Sequence, residues 1–198
     1  MLLGEIADVK TGLVLSRKKA EVDYEVQATY NLLTLKNITA DGLIQTDSFD
    51  QFKSNDILDD HYFTSKGDVL MRLSQPNMAV YIDEEQSGLL VPSYFAILKI
   101  HNGDFLPQYV AWYLNSDKVK KELERSQAGS RIPSMNQNVM NGLPIAKLSL
   151  DKQKALVDMW KLHLREKTLY QQLIKEKEQW FKGISNSIIN GTLEEETV

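Results

Sequence analysis

Along the first three quarters of the chain, apolar residues come in short runs, each cut off by Gly, Pro, Asn or Asp. Runs rich in β-branched and aromatic residues and bounded in this way predict strands at 30–36, 68–73, 79–82 and 89–100. One helical stretch interrupts them. Pro107 suits the first turn of a helix carrying Tyr109, Val110, Trp112, Tyr113 and Leu114, and Ser116 is placed to cap a second piece, DKVKKELERS. Tyr94, Phe95, Trp112 and Tyr113 fall inside these regular elements and are expected in a core rather than on a binding face.

After residue 149 the periodicity changes. Between 150 and 190 there is no proline and one glycine, Gly183, among abundant Lys, Glu, Gln and Leu, all good helix formers. At alternating steps of four and three stand Leu156, Trp160, His163, Tyr170, Ile174, Phe181, Ile184 and Ile188, and beside them Met159, Leu162, Leu169, Leu173 and Trp180. This pattern predicts one long helix with a broad apolar face, interrupted at His163, Glu166, Lys167 and Lys177. A helix of about 40 residues is roughly 60 Å long, more than a domain of about 150 residues covers. Its face is expected to meet the same helix of a second copy, antiparallel about a twofold axis, or else a different protein. The expected organisation is α+β: a mixed sheet domain at 1–148, the long helix at 149–190 and an acidic tail at 191–198.

Between the two parts lies SQAGSRIPSMNQNVMNGLPI, residues 126–145, with a single charge, Arg131, among amides, serines, glycines and prolines. Gly129 and Pro133 break helices, and 143–148 is expected as a closing strand, so a connector is the leading interpretation. The other is recognition, because Arg131, Asn136 and Gln137 are side chains that reach base edges or phosphates.

Composition narrows the chemistry. The chain has no cysteine, which excludes disulfides, thiolate zinc sites and a cysteine nucleophile, and fits an intracellular, cytoplasmic protein. Its N-terminus meets Glu5 and Asp8 before any apolar stretch long enough for a signal or a membrane span. His61, His101 and His163 are scattered, and no phosphate-cradling glycine loop, dinucleotide turn or nucleophile elbow occurs. Asp83, Glu84 and Glu85 are read as turn residues, as are Asp59, Asp60 and His61. No cofactor, metal or catalytic residue is expected. The net charge of −4 argues mildly against nucleic acid, yet the charge is uneven: Lys10, Arg17, Lys18 and Lys19 form a basic cluster, while the acidic residues concentrate at 41–60 and 194–196.

The segments LGEIADVKTG, LLTLKNITADGLI, KGDVLMRLSQPNMAVYIDEEQSGLLVPSYFAIL, QYVAWYLNSDKVKKEL, AGSRIP and LPIAKLSLDKQKALV, in this order over nearly the whole chain, resemble the specificity (S) subunits of type I restriction-modification systems. The chain departs from the family at the approach to the long helix, where Ala146, Lys147, Ser149 and the pair Lys152 and Gln153 stand in place of a proline-rich lead and a Leu-x-Glu-Gln start. The resemblance implies a DNA-reading protein without catalysis of its own. Modification subunits would supply S-adenosylmethionine and methylate adenine, and a restriction subunit, where present, would cleave. Family members carry two recognition domains, each followed by a long helix, the two helices pairing antiparallel. One of each here resembles a half-sized S subunit, expected to homodimerise and read a bipartite palindromic target in double-stranded DNA. A helical scaffold that keeps the fold but no longer reads DNA is the alternative. From side-chain chemistry, Arg17, Lys18 and Lys19 are candidate phosphate contacts, Arg72, Ser74, Gln75 and Asn77 in MRLSQPN are candidate base readers, and Arg131, Asn136 and Gln137 follow.

Overall fold

The computed structural model describes residues 1–46, 48–127 and 135–190. The chain divides into two units at Val157. The first is built on strands β1 (Ala7–Thr11), β2 (Ala28–Leu32), β3 (Asp50–Ser54), β4 (Val69–Arg72), β5 (Ala79–Tyr81) and β6 (Phe95–Ile100), with helices α1 (Pro107–Leu114), α2 (Asp117–Gln127) and α3 (Gln137–Asn141). Helix α4 (Leu150–Ile189) begins in this unit and makes up the described part of the second. The architecture is α+β, as expected.

Four strands form an antiparallel sheet in the order β1-β6-β4-β5, and β2 and β3 form a separate antiparallel pair. The central strands are apolar on both faces because both faces are covered. Val69 and Met71 of β4, with Ala96 and Leu98 of β6, join a core completed by Tyr109, Val110, Leu114, Val119 and Leu123 of the helices. Leu70, Phe95 and Ile97 point the other way, into a second cluster with Leu33, Ile82, Leu89 and Val91. A third cluster, Leu13, Leu32, Phe52, Leu58 and Leu90, lies under the β2-β3 pair.

Three of the landmark segments have local physical causes. In KGDVL, Gly67 takes a φ of +91°, and Asp68 is buried, accepting from Ser65 N at 2.8 Å and from Lys99 Nζ at 3.0 Å. In DVKTG, a side chain on Gly12 would collide with the carbonyl oxygens of Val91 and Pro92, each 2.4 Å from a built Cβ. In LPIAKLSLDKQ, Gln153 is fully buried: its Nε2 donates to Asp104 O (2.7 Å) and Leu148 O (2.9 Å), and its Oε1 accepts from Leu106 N (2.8 Å).

Several expectations need correction. The strand expected at 30–36 is β2, ending at Leu32; residues Leu35–Asn37 form a 3-10 turn, with Thr34 and Asn37 closing a capping box. The expected strand at 89–100 is cut at Pro92, which has no N–H to donate. Leu90 pairs with Leu32 and Phe63 as isolated bridges, and the regular strand starts only at Phe95. Strands β1 and β3 were not expected. The closing strand at 143–148 is reduced to one bridge between Pro144 and Leu2, flanked by Leu3 N to Leu143 O and Ile145 N to Met1 O bonds. Ser116 stands at the start of α2 and its carbonyl accepts from Lys120 N, but its hydroxyl makes no capping bond and has no hydrogen-bond partner among the described residues. Phe95 and Tyr113 are buried, and Tyr94 and Trp112 pack partly buried against the clusters. Leu156, expected in the open seam of the long helix, packs against the domain's own core beside Val157.

Candidate nucleic-acid interface

The register of the sheet decides which candidate residues meet. Thr11 of β1 pairs with Ala96 of β6, Arg72 of β4 pairs with Phe95, and Gly12 N donates to Phe95 O at 3.0 Å. The C-terminal ends of β1 and β4 therefore lie at the same end of the sheet, on either side of the start of β6. The chain leaving β1 carries Arg17, Lys18 and Lys19, and the chain leaving β4 carries Arg72 to Asn77. Residues 135–137 cross the same end: Met135 N donates to Leu73 O (3.4 Å), and Gln137 Nε2 donates to Val9 O (2.7 Å). Segments separated by about 60 residues of sequence are thus gathered by strand pairing alone.

The loop after β4 is held by its own polar groups. Arg72 Nε donates to Ser74 Oγ (3.1 Å), Arg72 Nη2 donates to Gln75 O (3.0 Å), and Asn77 Nδ2 donates to Arg72 O (3.1 Å). Two of the guanidinium's three nitrogens thus face their own loop, so Arg72 shapes it, and the side chain at its exposed tip is Gln75, beside the cis peptide to Pro76. Gln75, Pro76 and Asn77 line one side of a cleft of about 510 Å³ whose other side is Lys120, Leu123 and Glu124 of α2.

After β1, the 3-10 turn Leu15–Arg17 leaves Arg17 exposed. Lys18 pairs with Asp56; that hydrogen bond and the opposite charge raise the ammonium's pKa above its ordinary value and lower that of the carboxyl. Lys19 is exposed and joined to Ser54 by a backbone bridge. Asn136 caps α3, its side chain accepting from Val139 N at 2.9 Å. Arg131 lies outside the described residues.

His61, which sequence reasoning placed in a turn and no further, and Tyr62, which it did not single out, line a cleft of about 570 Å³ together with Lys10, Arg17, Lys18 and Gln137. Their rings are 4.0 Å apart. Nothing local marks them for this position. They reach it because Val91 N donates to Tyr62 O and Leu13 N to Val91 O, so the 59–62 turn is carried against the end of β1.

The seam residues of α4 form the other candidate surface. Leu162, Leu169, Tyr170, Leu173, Ile174, Trp180, Phe181 and Ile188 are all exposed, together with His163; Trp160 and Ile184 are half-buried. Among the described residues no helix is long and apolar enough to cross a membrane.

An α+β domain followed in the chain by a 40-residue helix is a fold shared with solved structures. The HsdS subunit from Thermoanaerobacter tengcongensis matches with a TM-score of 0.68 at 14% identity, over 93% of this chain and 46% of that one. A chain from a structure of complex assembly and conformational transition of the type I R-M system matches with a TM-score of 0.64 at 14% identity, over 96% and 44%. The type I restriction-modification S subunit from M. genitalium matches with a TM-score of 0.51 at 13% identity, over 100% and 46%. The fold is that of type I restriction-modification S subunits, and the chain spans about half the length of the structures it matches. No family model matches the sequence, and no curated protein does.

Proposed function

We propose that this chain is a sequence-specific DNA-recognition subunit of a type I restriction-modification complex. The observation that carries the reading is the convergence of Arg17, Lys18, the self-braced 72–78 loop and Gln137 at one end of the sheet, in a fold shared with S subunits. Phosphate contacts from the turn after β1 fix the register of the duplex, and amide side chains such as Gln75 and Gln137 supply the donor and acceptor pairs that adenine presents in the major groove. The subunit carries no catalysis of its own. Methylation, with S-adenosylmethionine, belongs to partner modification subunits, and cleavage to a restriction subunit where there is one.

The exposed seam of α4 supports homodimerisation, because apolar side chains at alternating steps of three and four bury themselves against an equivalent helix. Two recognition domains related by a twofold axis would read two inverted half-sites separated by unread bases. The test is selection of binders from a random duplex pool by the purified chain. Enrichment of a bipartite palindrome is expected, and a pool that stays random would reduce the protein to a helical scaffold. Sedimentation at micromolar concentration is expected to give the mass of two chains, and Leu173→Asp combined with Trp180→Asp the mass of one. A monomeric wild type would remove the symmetric arrangement.

A further inference from the structure

The cleft beside β1 brings Lys10, Arg17, Lys18 and His61 together. We propose that it is a phosphodiester site on which one strand of duplex DNA lies, with Lys10, Arg17 and His61 as its contacts; this rests on the DNA-recognition reading above.

Most lysines of the domain with an ion pair are spent internally: Lys36 on Asp50, Lys53 on Asp23, Lys66 on Glu84, Lys99 on Asp68 and Lys147 on Asp104. Lys10 and Arg17 have no ion-pair partner among the described residues, are both exposed, and face the same cleft with Lys18 and His61. Among the described residues no carboxylate lines it. Acidic groups lie beside the cleft rather than in its lining: Asp56 pairs with Lys18, Asp59 is 4.0 Å from His61 Nδ1, and Asp8 shares with Lys10, His61 and Lys99 a small neighbouring recess. In a chain of net charge −4, the unpaired Lys10 and Arg17 on one cleft are a setting that favours a polyanionic ligand.

The shape agrees with the charge. Lys10 alternates with Val9 along β1, so Val9 sinks into the core while Lys10 stands on the opposite face. The floor is backbone and apolar surface from Gly12, Leu13 and Val14, a surface for sugar and base rather than for a compact ion alone. Gly12 keeps that floor low, since any side chain there would drive the strand off the Val91 and Pro92 carbonyls. Gln137, anchored through Nε2 to Val9 O, closes the wall. Cations beside an anchored amide suit a backbone contact next to a base edge.

Fluorescence anisotropy of the full chain with two unrelated duplexes, over a salt series, tests the assignment. Lys10→Ala and Arg17→Ala are each expected to weaken binding of both duplexes to the same degree and to reduce the slope of log K against log salt by about 1. Lys10→Arg is expected to keep the wild-type slope. Lys66→Ala, which removes a lysine already paired with Glu84, is the control and leaves the slope unchanged. Inorganic phosphate and ATP distinguish a strand site from a small-anion site: competition at millimolar concentration matching that of duplex would replace the strand assignment with a nucleotide site. If wild type binds duplex with a salt-dependent affinity and the cleft variants bind identically, the cleft assignment falls while DNA recognition stands. If wild type binds no duplex, both fall.

Discussion

Asn115 holds Ala79 by both of its backbone polar groups: its Oδ1 accepts from Ala79 N at 2.8 Å and its Nδ2 donates to Ala79 O at 2.7 Å. A primary amide presents the same donor and acceptor pair as a peptide group, so Asn115 acts as a one-residue strand on the outer edge of β5. This ties the C-terminal end of α1 to the sheet and accounts physically for the asparagine in YLNS. Asn115→Ala leaves a buried N–H and C=O unpaired and is expected to cost about 2 to 4 kcal/mol. Asn115→Asp keeps the acceptor but sets a carboxylate against a carbonyl, and is expected to recover none of the loss. Urea midpoints of the three proteins at equal slope measure both.

Gln153 plays the corresponding part at the start of α4, where one buried amide serves Asp104 O, Leu148 O and Leu106 N. Gln153→Ala is expected to destabilise the domain by about 3 kcal/mol, and Gln153→Glu by at least as much, since two carbonyl oxygens would then face a carboxylate. If both variants unfold at the wild-type urea midpoint, the three bonds contribute nothing.

Tyr109 is fully buried among the helices, with its hydroxyl donating to Ala146 O at 2.8 Å. Burial, reinforced by neighbouring Tyr113, pushes its phenol up to about 12 from the ordinary 10. The folded state therefore holds this proton more tightly than the unfolded chain does. Its contribution is complete below pH 10 and lost as pH rises from 10 to 12, up to roughly 2 to 3 kcal/mol. Tyr109→Phe is expected to be less stable at pH 7 but to lose less on going from pH 9.5 to 11.5, which paired denaturation curves would show.

Arg72 tests whether the loop after β4 works by shape. With Nε and Nη2 bound to Ser74 Oγ and Gln75 O, Arg72→Ala is expected to relax sequence preference by about 1 to 3 kcal/mol through loss of loop geometry. Asn77→Ala, which removes the bond to Arg72 O, is expected to relax the same base positions. Arg72→Ala relaxing preference while Asn77→Ala leaves it intact would make Arg72 itself the base reader.

Much of the frame was legible because it rests on local rules. The two strands β4 and β6 announce themselves by unbroken apolar runs, α1 by the proline at its first turn, and α4 by 40 residues of helical spacing. Strands β1 and β3 escaped because an edge strand such as ADVKT buries only Ala7 and Val9, and DQFKS buries only Phe52 and Ser54. Helix α3, five residues long, is too short for a period to show. The site was legible as a list of side chains but not as a place. The segments carrying Arg17 and Arg72 come to the same end of the sheet only through the pairing of β1 and β4 with β6, and His61 arrives through bonds between Tyr62, Val91 and Leu13. Non-local pairing of this kind leaves no mark on either segment alone.

The open seam of α4 has a consequence for turnover that can be measured. Leu162, Leu169, Leu173, Trp180 and Phe181 are exposed along a face interrupted by Glu166, Lys167 and Lys177, and exposed apolar side chains are the kind of surface that chaperones and proteases engage. If α4 pairs with a second copy as proposed, a copy without a partner helix is expected to be removed sooner than a paired one, and turnover to depend on the concentration of the chain itself. Pulse-chase measurements at low and high expression are expected to show slower turnover at the higher level, with Leu173→Asp/Trp180→Asp turning over at one rate in both.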